Sequence, residues 1–320
     1  ASLRQARLEG AQLTGAKLQG ATLTGAALED CKLESADLRQ ARLEGVKLAR
    51  LALQGANLEG MDLRGLDLSE SDLTGARLMG ARLDGARLQE TLLAEASLVQ
   101  AQLVGATLVG ALLEGADLTD ANLEKADLES AQLAGAALAR ARLVDAKLVG
   151  ADVDGADLAG TLLQGPDLTR CSIVAVRAAR QDFARCELTD VDLSKADLTA
   201  ANLSAISGKQ ANFSGADLTE ARLREARLRS ADFSRAKLER ADLSQADLWQ
   251  AHFRHAVALK ASFARCRLDK ALFLHADLRS ANLSHIQAPG PDFSHARLEL
   301  GDFTSAHLKG GKLHRITDTG

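Results

Sequence analysis

The chain is 320 residues long, with 46% hydrophobic but only 3% aromatic residues, a net charge of −4, four Cys and no Tyr. No run of about 18 apolar residues occurs, which excludes a membrane-spanning helix. Richness in Ala, Leu, Glu, Arg and Lys would suit long helices, but a large apolar residue recurs here every five positions, and a five-residue step smears an apolar stripe around a helix axis.

Divided into fives from Ala1, the chain gives 64 units without a phase slip, with Leu or Phe at nearly every third position and Ala at most first positions. The alternation in Ala116-Asp117-Leu118 is that of an extended chain, in, out and in. A spacing of 20 residues separates Phe213, Phe233, Phe253, Phe273 and Phe293. Four units therefore make one turn, and the Phe column marks the stacking of turn on turn.

Residues 1–170 form a regular half, with Gly at many fifth positions from Gly10 to Gly165, where a corner needs permissive dihedrals. Val46, Leu51, Met61 and Leu66 enlarge the first position and are expected to widen their coils, and Pro166 marks the end of this half. Residues 171–315 are poorer in Gly and richer in Phe, His and Arg. Their undersized centres, Ala178, Gly208, Ala258 and Ala288, are each followed five residues later by Phe183, Phe213, Phe263 or Phe293, as volume compensation would require. The small centres and the Phe fall on different sides of the square, which predicts a core of rectangular section. Gly208-Lys209 and Pro289-Gly290-Pro291 are expected to be bulged corners. Residues 316–320 form a decaying end, because Asp318 takes a central slot. Residues 1–170 carry 17 Lys and Arg against 25 Asp and Glu, and residues 171–320 carry 22 against 18 together with all seven His. One half is acidic, the other mildly basic.

The near-consensus units Ala116-Asp117-Leu118-Thr119-Asp120 and Ala121-Asn122-Leu123-Glu124-Lys125 resemble the pentapeptide-repeat family, whose consensus is A(D/N)LXX, and the resemblance covers essentially the whole chain. It implies an all-β fold, a right-handed quadrilateral parallel β-helix of about 16 coils over residues 1–320, with the central and first residues of each unit pointing inward. At strand spacing such a rod would be roughly 75 Å long.

Cys31, Cys171, Cys186 and Cys266 replace Ala at the inward first slot without metal-ligand spacing, and read as small core residues. Outside the core, a column of fifth positions stands out: Arg235, His255, His275, His295 and Arg315, repeating every 20 residues. Such a column is either a solvated corner that drifted to His during repeat duplication or a binding face, for an acidic protein partner before a nucleic-acid backbone or a metal, since no second ligand type converges on it; it is the candidate partner-docking column. Arg222, Arg224, Arg227 and Arg229, interleaved with Glu220 and Glu225, read as a salt-laced wall, and Trp249 as a lone outward ring. Aromatic interleaving for single-stranded nucleic acid is missing. There is no Walker loop, no GxSxG and no HExxH, so no catalytic residue, cofactor or metal site is expected.

The expected function is a non-catalytic interaction scaffold or spacer, the repeat region of a larger bacterial protein. Similar repeat regions are attached to secretion-system effectors and effector-loading adaptors. The in-phase start without Met suits a piece of a longer chain, with a neighbouring domain at the N-terminal coil or a second copy at a coil end. A cytoplasmic location, or export without a cleavable leader, goes with this reading. The alternative, again from the resemblance, is a DNA mimic that occupies a type II topoisomerase through outward acids such as Asp62, Asp67, Asp72, Asp117, Asn122 and Asp127; Arg77, Arg82 and Arg87 interrupt that run.

Overall fold

The computed structural model describes residues 1–184 and 186–317, and contains no helix within them. The chain divides into two compact units, Ala1–Pro166 and Asp167–Gly320. Both units are built from the same five-residue element, arranged four-sided because each bridge pairs a residue with the one 20 positions further on, in parallel.

Ala116–Asp120 shows why the five residues fold as they do. Ala116 and Leu118 are fully buried, while Asp117 between them forms the bridge to Ala137. Leu118 N donates to Ala137 O at 2.8 Å, Asp120 N to Ala139 O at 3.0 Å, and Ala137 N returns to Ala116 O at 2.9 Å. The corner closes with Ala121 N donating to Leu118 O at 3.0 Å. Asp120, third of the four turn residues, has φ of 58°, the positive value that a type II turn demands. Every described fifth position shares it, with φ from 51° at Arg315 to 71° at Gly45. Gly is the residue least strained there, yet Arg, Gln, His and Leu occupy the same corner.

The amide left over is that of the fourth residue. In this unit Thr119 N has no backbone acceptor and donates instead to Asp117 Oδ1 at 3.0 Å. The same cap recurs from Asn122 to Glu124, Asp192 to Ser194, Asn212 to Ser214 and Asp232 to Ser234. The preference for Asp or Asn at the second position follows from this cap, since their short side chains reach an amide two residues on at little conformational cost, although Glu187 also caps Thr189 N, at 3.1 Å.

The inward first slot has a rule of its own when it is polar. Ser71 Oγ, Thr91 Oγ1 and Thr161 Oγ1 donate to the carbonyls of Leu48, Leu68 and Leu138, at 2.6, 3.0 and 2.8 Å, each 23 residues back. Cys31 and Cys266 do the same through Sγ to Leu8 O and Leu243 O. All four Cys are buried, and burial pushes the Cys266 thiol up to about 12. They are core residues, as their slot predicts.

In Asp167–Gly320 the Phe ladder stands as predicted. Phe213, Phe233, Phe253, Phe273 and Phe293 stack face to face with ring centroids 4.9, 4.9, 4.6 and 4.8 Å apart. From the opposite wall Phe263 meets Phe253 and Phe273 edge-on at 5.5 and 5.7 Å. Two expectations are corrected. The corner at Gly208-Lys209 is regular: Gly208 N donates to Arg227 O at 2.9 Å and Gln210 N to Arg229 O at 2.9 Å. No bulge forms because Leu228 Cδ2 and Ile206 Cδ1 fill the space a Gly208 Cβ would take, at 3.1 and 3.7 Å from it. Pro289-Gly290-Pro291 also keeps register, with Ala288 N on His307 O and Lys312 N on Pro291 O. Only the turn bond is missing there, since Pro291 has no N–H. The expected decay at Asp318 lies outside the described residues.

The widening expected around Val46, Leu51, Met61 and Leu66 takes a definite form. Leu63 N donates to Arg82 O and Leu68 N to Arg87 O at 2.8 Å, but one coil earlier neither Leu43 to Asp62 nor Leu48 to Asp67 is joined.

Candidate docking surface

The fifth-position column gets its geometry from the corner. A left-handed residue at the same point of successive coils aims each side chain outward in parallel, one bridge spacing above the last. His255 and His275 stack with centroids 5.0 Å apart and planes 4° from parallel, and His275 and His295 at 4.8 Å and 12°. His255 and His275 are exposed and His295 half-exposed. Arg235 and Arg315 occupy the same left-handed corner at φ of 61° and 51°, also exposed. Sequence reasoning missed a further member: His314 meets His295 edge-on at 6.1 Å and 89°. Its signal was a fourth-position His directly beside the column.

The charges around this column are already engaged with one another. Burial raises the Asp277 carboxyl, but Arg279 and its own backbone amide override that and hold it below the ordinary carboxylate range. Arg279 Nε and Nη2 lie 2.9 and 2.7 Å from it, and Arg297 3.5 Å. Asp292 accepts from Ser294 N at 3.0 Å and pairs with Lys312 at 3.5 Å. Among the described residues, no ion pair joins Arg235, His255, His275, His295 or Arg315 to a carboxylate. The column is thus a row of donors with spare capacity, flanked by Val257, an exposed apolar residue.

Of the other candidates, Arg224 and Arg229 have ion-pair partners. Arg229 pairs with Asp247 at 2.6 Å and Arg224 with Asp242 at 4.0 Å, across coils rather than with Glu220 or Glu225. Trp249 is half-buried, its amide donating to Asp247 Oδ1. The outward acids of the first unit are largely capping groups: Asp67 serves Ser69, Asp72 serves Thr74, and Asp127 serves Glu129. Asp62 is held down to about 2, chiefly by its hydrogen bonds from Arg64. No group of three or more His, Cys, Asp or Glu among the described residues could hold a metal ion. Among the described residues, no helix is long and apolar enough to cross a membrane.

The pentapeptide-repeat model matches eight times, over residues 1–30, 26–65, 53–89, 96–131, 126–165, 167–204, 211–250 and 246–284. Among solved structures, HetL, a pentapeptide repeat protein involved in heterocyst differentiation regulation in the cyanobacterium Nostoc sp. strain PCC 7120, is 31% identical, over 78% of this chain and 88% of that one, with a TM-score of 0.32. Rfr23 from the cyanobacterium Cyanothece 51142 is 38% identical over 31% of this chain and 60% of its own, at a TM-score of 0.22. Full-length QnrB1, a plasmid-mediated fluoroquinolone resistance protein, aligns over 99% of this chain at 13% identity and a TM-score of 0.14. A search among curated proteins finds no significant match. With eight model matches that together cover most of both units, the chain belongs to the pentapeptide-repeat family of right-handed quadrilateral β-helices.

Proposed function

We propose that the chain is a non-catalytic protein-interaction scaffold that docks an acidic protein partner on the column Arg235, His255, His275, His295 and Arg315. The observation that carries this reading is the parallel stack of three imidazoles, held by the corner geometry and joined to no carboxylate. Stacked rings lose little conformational freedom when a partner binds, and their N–H edges match carboxylates. As the repeat region of a larger bacterial protein, such as an effector or an effector-loading adaptor of a secretion system, the scaffold would hold that partner at a fixed distance from a neighbouring domain.

The test is an affinity capture with the parent beside a His255→Glu/His275→Glu/His295→Glu variant of matched thermal stability. The reading expects one protein retained by the parent and lost by the variant. Equal capture by both moves the contact off the column. Recovery of gyrase subunits by both would replace the scaffold reading with topoisomerase mimicry.

A further inference from the structure

We propose that residues 46–50 form a strap built into the first unit, a stretch of wall anchored by its side chains but largely released from the hydrogen-bonded ladder, which opens locally while the unit stays folded. The lost bonds lie on both of its edges. Toward the preceding coil, Leu28 N does not reach Lys47 O, Asp30 N does not reach Ala49 O, and Lys47 N does not reach Ala26 O. Toward the following coil, Leu48 N to Asp67 O and Asp67 N to Val46 O are missing, and Arg50 N to Ser69 O, at 3.0 Å, is the bond that remains. The turn bond from Leu51 N to Leu48 O is also absent, and Leu48 O takes the Ser71 hydroxyl instead. On the adjoining wall the gap continues through Leu43 N, Gly45 N and Asp62 N, none of which makes the bond its counterpart makes one coil on.

The proposed cause is local and lies in the inner slots. Val46, Leu51, Met61 and Leu66 stand where Ala stands in most units, and Val46, Leu51 and Met61 are buried. Added bulk at these four neighbouring inner slots is the wedge the proposal invokes; an isolated bulky slot, Val191, keeps its ladder, with Leu193 N on Asn212 O at 2.7 Å and Asn212 N on Val191 O at 2.9 Å. Two crevices open beside the displaced wall. One, of about 680 Å³, runs between Gln40–Glu44 and Gly60–Leu66; the other, of about 610 Å³, lies between Lys47, Arg50, Asp67 and Glu70.

The strap does not cost the unit its stacking. On the other walls Leu33 N still donates to Ala52 O, Leu53 N to Asp72 O, and Leu58 N to Arg77 O, at 2.9, 2.8 and 2.8 Å. Side-chain pairs also tie it down from outside: Arg50 grips Glu70 through two bonds of 3.0 and 2.9 Å. The strap is therefore latched mainly by a surface ion pair and two buried side chains, Val46 and Leu48, with Val46 N on Leu43 O and Arg50 N on Ser69 O as its remaining backbone bonds. Local opening of this kind exposes amides without global unfolding.

Amide hydrogen exchange resolved by residue tests the proposal. The expected result is that Leu28, Leu43, Lys47, Leu48, Asp62 and Asp67 exchange at least a hundredfold faster than Leu63, Leu68, Arg82, Leu83 and Arg87, which complete their bonds. Equal protection of the two sets overturns it. A Val46→Ala/Leu51→Ala/Met61→Ala/Leu66→Ala variant, which restores the common inner residue, is expected to bring the first set to the protection of the second. If that variant is folded and exchange stays fast, bulk at the inner slot is not the cause. Should the quadruple variant fail to fold, Val46→Ala alone supplies the comparison, with a slowing at Lys47 and Leu48 expected and no change overturning the wedge.

Discussion

A single Asp explains the consensus of the repeat. Its Oδ1 satisfies the one backbone amide that the ladder leaves without a carbonyl, so the acid at the second position is a turn-building group before it is a surface charge. Asp117→Asn keeps the acceptor and is expected to be within a few tenths of a kcal/mol of the parent, whereas Asp117→Ala is expected to cost about 1 kcal/mol in urea unfolding. Equal losses for the two would assign the effect to charge instead. This role was not legible in the sequence, where the same acids read as an outward wall. A run of letters shows which way a side chain points, but not which amide lacks a partner. The inward Ser71 and Thr91 were equally silent, because a hydroxyl in an Ala slot shows nothing of the carbonyl 23 residues back that accepts from it.

The elements were legible where period alone decides them. A repeat of 20 puts Phe253 on Phe273 and His255 on His275 whatever the surroundings, and both stacks are present. Volume was harder to read. Gly208 looked like a bulge because a missing side chain suggests a break, yet Ile206 and Leu228 reach into the space. The same compensation is expected at Ala258, whose neighbour Phe263 crosses the axis to meet Phe253 and Phe273. Ala258→Leu overpacks this coil and Phe263→Leu empties it, each costing about 1–3 kcal/mol. Made together they are expected to cost clearly less than the sum, a coupling readable by a double-mutant cycle of urea midpoints. Strict additivity would show that the two sites do not share space. Bulk at Val46 and Met61 was readable as widening, but loss of specific backbone bonds depends on distances that composition does not carry.

At the scale of the whole molecule, many small carboxylate terms add. Arg64 on Asp62, Arg279 on Asp277, and the hydroxyl and then the amide of Thr169 on Asp167 and of Thr304 on Asp302 hold these acids below their ordinary values in the folded chain. A depressed folded value stabilises the fold above the unfolded carboxylate range and ceases to do so as pH falls through the folded values. The thermal midpoint is therefore expected to be flat from about pH 7 to 5 and to fall steeply from about pH 4 toward 2. A midpoint that rises on acidification would contradict the assignment. High salt is expected to weaken the surface pairs while leaving the amide caps in place, so part of the acid sensitivity persists in salt.

The docking column carries the account's central claim, and a photo-crosslinking residue placed in it tests that claim most directly. Replacing Arg315 with a benzophenone amino acid puts the probe at the end of the imidazole stack, and replacing Asp117 puts the same probe on the first unit. Irradiation in the native lysate is expected to attach one protein to the Arg315 probe and none to the Asp117 probe, with attachment abolished by the triple His→Glu change. The same protein crosslinking from position 117, with nothing from position 315, would contradict the docking surface.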